Sequence, residues 1–235
     1  MPTFRFRDRA VHLPEADALV CADLHVGRAE ASDVEYPLGE GADLEGRLRA
    51  LLAEWSPTEV VFAGDVLHEF GRVSLASDRS LAGLADVCRD EGATPVVVAG
   101  NHDTLLSEVW DGTIHDAYAL DAGGERVVVR HGHEAPPRDE DADCYVVGHD
   151  HPTIDIEGQR RPCFLYGPGQ FRGTDVLMLP SFTRLAAGVT VNGMGTRDFD
   201  SPFVTDANAL RPVVRDDDAD ETLEFPPLGE FRRLL

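Results

Sequence analysis

Five short clusters of carboxylates, imidazoles and one amide recur along this sequence: Asp23 with His25, Asp65, Asn101 with His102 and Asp103, His131 with His133, and His149 with His151. Together these donors suit divalent metal ions, because carboxylates bring charge, neutral imidazoles bring directed lone pairs and an amide adds a neutral oxygen. Side chains two apart on an extended strand share a face, so Asp23 and His25 are expected to grip one ion, and His149 and His151 to stand in the same relation. A lone D-x-H, or a single histidine at a strand end, is more often a hydrogen-bonded structural residue. Five clusters in succession, roughly twenty to forty residues apart, argue instead for side chains brought together on purpose.

The segments before the clusters must place them. They read ALVCAD (18–23), EVVFAGD (59–65), TPVVVAGNHD (94–103), RVVVRHGH (126–133) and CYVVGHDH (144–151). Short apolar runs ending in polar clusters predict buried strands, with the site at their C-terminal ends, where α/β sheets bind ligands. Between the first three, residues 40–54 put Leu44, Leu48, Leu51 and Leu52 on one helical face, and residues 77–91 do the same with Leu81, Leu84 and Val87. FRFRD, PTIDIEG, RPCFLYG, DVLMLP and LRPVVR predict further strands, so the chain is α/β with a β-rich second half. One domain over 1–235 is expected, with about 205–235 as a C-terminal appendage docked through Phe225, Leu228 and Phe231; Asp216 to Glu221 reads as a solvated loop. Gly64, Gly100 and Gly148 precede the clusters and are expected to supply sharp turns.

The charge balance narrows the partners. The chain has 21 basic and 43 acidic residues, a net charge of −22, and every basic residue is arginine. That composition reads as adaptation to high salt, where a hydrated acidic surface keeps a protein in solution. It also speaks against a broad nucleic-acid-binding face, which needs a basic stripe. Cys21, Cys88, Cys144 and Cys163 are far apart and read as reduced thiols. The first residues lack the apolar core of a signal peptide, and no stretch is long enough to span a bilayer, so the chain is expected in the cytoplasm.

The succession D-L-H (23–25), G-D (64–65), G-N-H-D (100–103), H-G-H (131–133) and G-H-D-H (148–151) resembles the calcineurin-like metallophosphoesterase superfamily. LPSFTRLAAGVTVN (179–192) is similar to an archaeal and bacterial branch that includes DNA-ligase-associated phosphoesterases. The resemblance implies a four-layer α-β-β-α sandwich of two mixed sheets with a dimetal site at the strand ends. It implies a first ion on Asp23, His25, Asp65 and His151, and a second on Asp65, Asn101, His131 and His149, with Asp65 shared. The ions would be manganese, with iron, zinc or cobalt as alternatives. The implied reaction is hydrolysis of a phosphate ester, a diester more than a monoester, by a metal-bridging hydroxide. His102 would assist the leaving group, and Asp103 would orient it.

Other residues have weaker claims. His133 and His68 are candidates for the site's surroundings, while His12 and His115 read as structural. Arg28 and Arg172 suit phosphate by their fork of donors, and suit surface carboxylates equally well. Two alternative functions stand beside the hydrolase: a metal-dependent DNA-repair nuclease and a non-catalytic scaffold of the same fold.

Overall fold

Alternation along the strands decides which layer each side chain joins. The computed structural model describes residues 2–28, 39–68 and 71–233. A first sheet takes β1 (Arg5–Arg7), β2 (Ala10–Leu13), β3 (Ala18–Cys21), β4 (Glu59–Ala63), β5 (Thr94–Val98) and β6 (Ile114–His115) in that spatial order, with β3 to β6 parallel. The next strands are β7 (Tyr118–Ala122), β8 (Glu125–Val129), β9 (Cys144–Val147), β10 (Pro152–Ile156), β11 (Gln159–Pro162), β12 (Phe164–Phe171), β13 (Thr174–Met178), β14 (Val189–Thr190), β15 (Arg211–Asp216) and β16 (Glu221–Glu224). They build a second large sheet, ordered β16-β15-β12-β13-β9-β8-β7, and a small one, β11-β10-β14. Both large sheets are mixed, as expected.

Val20, Val61, Ala63, Val96 and Val98 face Val127, Val129, Val146, Leu177 and Leu179 in one dry core between the large sheets. The alternate residues Leu19, Cys21, Val60, Phe62 and Val97 pack under two helices, α1 (Glu40–Trp55) and α2 (Leu75–Asp90). The leucines expected on the helical faces are buried there. The Ser74 hydroxyl caps α2 by accepting from the Ser77 amide at 3.0 Å.

The fourth layer is thinner than two long helices. The outer face of the second sheet, including Tyr145, Val147, Leu165 and Met178, is covered by Ile154, Val191, Met194, Phe199, Phe203 and Leu210, and by Leu228 and Phe231 of the four-residue helix α3 (Leu228–Phe231). Prolines and glycines at 180, 188, 193, 195 and 202 explain this, since they break any 3.6-residue period before a helix can propagate. RPCFLYG is two strands, not one: at Cys163, whose amide goes to Pro152 O at 3.1 Å, the chain passes from the small sheet to the large one. The acidic run is the turn of the β15–β16 hairpin, and residues 217–220 are exposed. No helix among the described residues is long and apolar enough to cross a membrane.

Candidate metal centre

The clusters lie just past the strand ends, where the chain bends sharply. Asp23, His25, Asp65, His149 and His151 have φ of 57°, 48°, 47°, 77° and 48°, the left-handed region that non-glycine residues avoid. Five such residues in one place is strain concentrated at a site. It also corrects the expectation for the D-x-H pairs: Asp23 and His25 follow β3 and converge through two left-handed turns, not through strand alternation. The His149–His151 pair divides, one ring to each of two groups.

In the first group, His25 Nε2 stands 3.3 Å from His151 Nε2. Asp23 Oδ1 is 3.2 Å from His151 Nε2, and Asp65 Oδ2 is 4.0 Å from His25 Nε2. In the second, His131 Nε2 is 3.0 Å from Asn101 Oδ1, 3.1 Å from His149 Nδ1 and 3.4 Å from Asp65 Oδ1. The structure therefore brings all seven expected metal-ligand residues together, and Asp65 puts one oxygen toward each group.

This geometry fits metal ions. Donors sharing a dication at about 2.0–2.2 Å stand roughly 2.8–3.6 Å apart, and all but the Asp65 Oδ2 separation fall in that range. Asp23 Oδ1 is buried and accepts no well-formed hydrogen bond among the described residues. An orphaned, buried carboxylate oxygen is what a cation would satisfy. His131 turns its other nitrogen, Nδ1, toward Ala63 O at 3.4 Å, which orients the ring.

Burial lowers the pKa of three of the four ligand rings against the pull of Asp23, which favours free lone pairs there: His25 to about 3, His131 to about 4 and His149 in the same direction. At His151 burial also opposes the charge, but Asp23 outweighs it and raises the pKa. Burial, with the charge of Asp23, raises Asp65 to about 7. Asp23 goes the other way: burial opposes its ionisation, but His151, His131 and His25 hold its carboxyl below the usual value. Dications would keep both carboxylates ionised and offset their repulsion.

Second carboxylates brace these loops. Asp103 accepts the Leu67 amide through Oδ1 at 2.8 Å, and the Gly100 and Val66 amides through Oδ2 at 2.8 and 3.2 Å. It thus ties the loop carrying Asn101 and His102 to the one following Asp65. Asp150, which sequence reasoning passed over, does the same by taking the Asp200 and Ser201 amides at 2.8 and 3.1 Å. The visible signal was its position, beside a histidine as Asp103 is. Ser181 was also missed; its hydroxyl donates to Asp23 O at 2.7 Å. The expectation for the glycines also changes. Gly64 alone of the three has positive φ, whereas a Cβ on Gly100 would fall 2.2 Å from Asp65 Oδ1 and one on Gly148 2.5 Å from Asp23 Oδ2. A Cβ on Gly64 would likewise fall 2.4 Å from His131 Cβ, so all three are needed for space.

His102 sits at the rim with Nε2 3.8 Å from Asp65 Oδ2. His68 stacks on His102 at 5.8 Å and meets His25 edge-on at 5.1 Å. His133 lies beside His131, 5.2 Å between centroids, and lines a cavity of about 710 Å³ with Arg138 and Arg172. His12 stacks on Trp55 away from the site, and His115 packs on Tyr118.

Among known proteins, the calcineurin-like phosphoesterase family profile matches residues 17–172. The nuclease MPE of Pseudomonas putida is similar in structure, with 25% identity, a TM-score of 0.58 and coverage of 88% of each chain. The phosphoesterase YfcE from E. coli shares 17% identity at a TM-score of 0.47, over 89% of this chain and 98% of that one. No curated protein matches. Because the profile spans well over half of the 235 residues and contains every cluster described above, this chain belongs to the calcineurin-like phosphoesterases and is an enzyme acting on phosphate esters.

Proposed function

We propose that the protein hydrolyses phosphodiesters with two divalent cations, one held by Asp23, His25, Asp65 and His151 and the other by Asp65, Asn101, His131 and His149. The observation that carries this reading is the pair of donor groups flanking Asp65, with neighbouring atoms 3.0–3.4 Å apart and Asp65 Oδ2 4.0 Å from His25. Bound cations would supply a nucleophile at neutral pH and charge to hold the phosphoryl oxygens. Manganese is the proposed metal, since mixed oxygen and nitrogen donors accept it and supply decides among rivals.

The chain's own residues do the rest. His102, half-exposed at the rim, holds a proton for the departing oxygen. Asp103 positions it by fixing its loop through three main-chain amides. The ligand loops, tied down by Asp103 and Asp150, keep the donors in place, so little reorganisation accompanies the reaction.

Hydrolysis of bis-p-nitrophenyl phosphate beside p-nitrophenyl phosphate, with manganese in molar KCl, tests the reading. Faster release from the diester is expected. Preference for the monoester would make the protein a phosphatase, and release from neither with metal bound would restore the scaffold reading. A nuclease is the second reading, favoured by the likeness to nuclease MPE over 88% of the chain. The net charge of −22 opposes a broad basic face, so any strand must be gripped locally. The acidic, lysine-free composition supports a salt-adapted protein, and four free buried thiols support a reducing, cytoplasmic setting.

A further inference from the structure

Beside His151 lies a second cavity, of about 220 Å³, whose charge runs against the composition of the chain. Its lining includes Arg9, Arg160 and Arg184 and, among the described residues, no Asp or Glu, although acids outnumber arginines by 43 to 21 overall. Arg160 spends its donors on Thr153 Oγ1, at 2.8 Å, and on Gly188 O, both neutral. Arg9 likewise binds two carbonyls, Thr183 O at 2.7 Å and Ser181 O at 3.3 Å. Arg184 is partly compensated by Asp43 at 3.3 Å and Asp8 at 3.6 Å, neither of which lines the cavity. Burial, and then Arg47 and Arg184 nearby, lower the Arg9 guanidinium to about 10, as crowding of cations requires.

The backbone pays for this placement. Asp8 and Arg9 form the two-residue link between β1 and β2 with φ of 40° and 67°, where hairpins prefer Asn-Gly. Leu185 and Val189, on the segment that carries Arg184 and Gly188, are 49% and 45% exposed, two of the few large apolar side chains so open. A cationic pocket opening beside His151, with exposed apolar side chains on the segment that supplies part of its wall, suits a phosphate that carries a base.

We infer that the Arg9–Arg160–Arg184 pocket binds the phosphate neighbouring the scissile one, so that the substrate is a single strand of nucleic acid extending past His151. This rests on the phosphodiesterase reading for what happens at the metals, but not for the pocket itself. Arg9 holds the loop of Ser181 as well, so Arg160 and Arg184, both exposed, are the residues to change.

Binding of a fluorescein-labelled, phosphorothioate-linked hexathymidylate to the metal-loaded full chain is followed by anisotropy across KCl concentrations. R160Q/R184Q is expected to weaken binding about tenfold at low salt. It should also make the slope of log K against log salt shallower by roughly 0.7, the share of the one phosphate the pocket holds. R49Q/R89Q, which removes the same charge from the helical layer, should leave the slope unchanged. Equal slopes for the two double variants, no binding by the parent, or competition by thymidine monophosphate equal to that by unlabelled hexamer would each overturn the inference. Because the probe resists cleavage, arginine-dependent binding by a protein inactive on esters would sink the hydrolase reading and leave the pocket standing.

Discussion

Asp150 Oδ2 accepts the main-chain amide of Ser201 at 3.1 Å, and Ser201 returns its hydroxyl to Gly132 O at 2.7 Å. The residue between His149 and His151 is thus clamped to the residue next to His131 through a loop fifty positions on. Replacing the carboxylate leaves two amides without acceptors, that of Ser201 buried. Asp150→Ala should therefore cost about 1–3 kcal/mol of stability and weaken the second metal by about 10–100-fold. Thermal melts and metal titration read both, and wild-type values in each would show that the clamp carries nothing.

Asp65 offers one oxygen to each donor group, so its loss should be felt at both. Asp65→Ala should reduce bound metal to one ion per chain or fewer, measured by elemental analysis. Turnover should fall by more than the roughly hundredfold that loss of an outer-shell partner costs. Two tightly bound ions in the variant would remove Asp65 from the bridging position.

His102 should matter in proportion to how much help the leaving group needs. With an alkyl ester, whose alkoxide departs poorly, His102→Ala should lose about 10²–10⁴ in kcat. With a p-nitrophenyl ester the loss should be far smaller, and metal content should not change. An equal loss on both esters would mean that His102 contributes position or metal affinity, not a proton.

Much of this was legible before the fold. EVVFA and TPVVV read as buried strands, because every position after the first is apolar and the runs end in polar clusters. Leu44, Leu48, Leu51 and Leu52 declared their helical face by spacing alone. What was illegible is three-dimensional. The left-handed turns at Asp23 and His25 carry no local signal, because only burial and opposing loops hold non-glycine residues there. Nor can spacing tell that Asp103 and Asp150 spend their carboxylates on amides some 36 to 51 residues away. The thin fourth layer was half-legible, since the prolines and glycines past 180 forbade long helices without saying what would replace them.

His12 is 5% exposed, stacked on Trp55, and neither ring nitrogen has a hydrogen-bond partner among the described residues. Burial, and then its cross-strand neighbour Arg5, lower its pKa, with Asp17 and Glu15 opposing. A folded-state pKa below the unfolded value means that the unfolded chain binds the extra proton first. Stability is therefore full above about pH 6.5 and drains away as pH falls below it. His12→Phe keeps the stacking and removes the unsatisfied nitrogens, so it should match or exceed the parent at pH 7. Urea unfolding at pH 7 and pH 5 should show a smaller drop for the variant, and an unchanged drop would place the acid sensitivity elsewhere.

Salt should act on the whole surface at once. With a net charge of −22, acids outnumber arginines about two to one, and their repulsion opposes folding. Raising ionic strength from 0.1 to 1 M shortens the screening length from about 10 to about 3 Å, which removes most of that repulsion. The same salt weakens exposed ion pairs such as Arg89 with Asp86, 3.0 Å apart, but pairs of that kind contribute about 0–1 kcal/mol each. Repulsion among 43 acids against 21 arginines therefore dominates. The urea midpoint should rise steadily with KCl at constant pH, with little change in the denaturant slope, because the surface exposed on unfolding stays the same. A midpoint highest at low salt would show that the acidic composition serves something other than a saline cell.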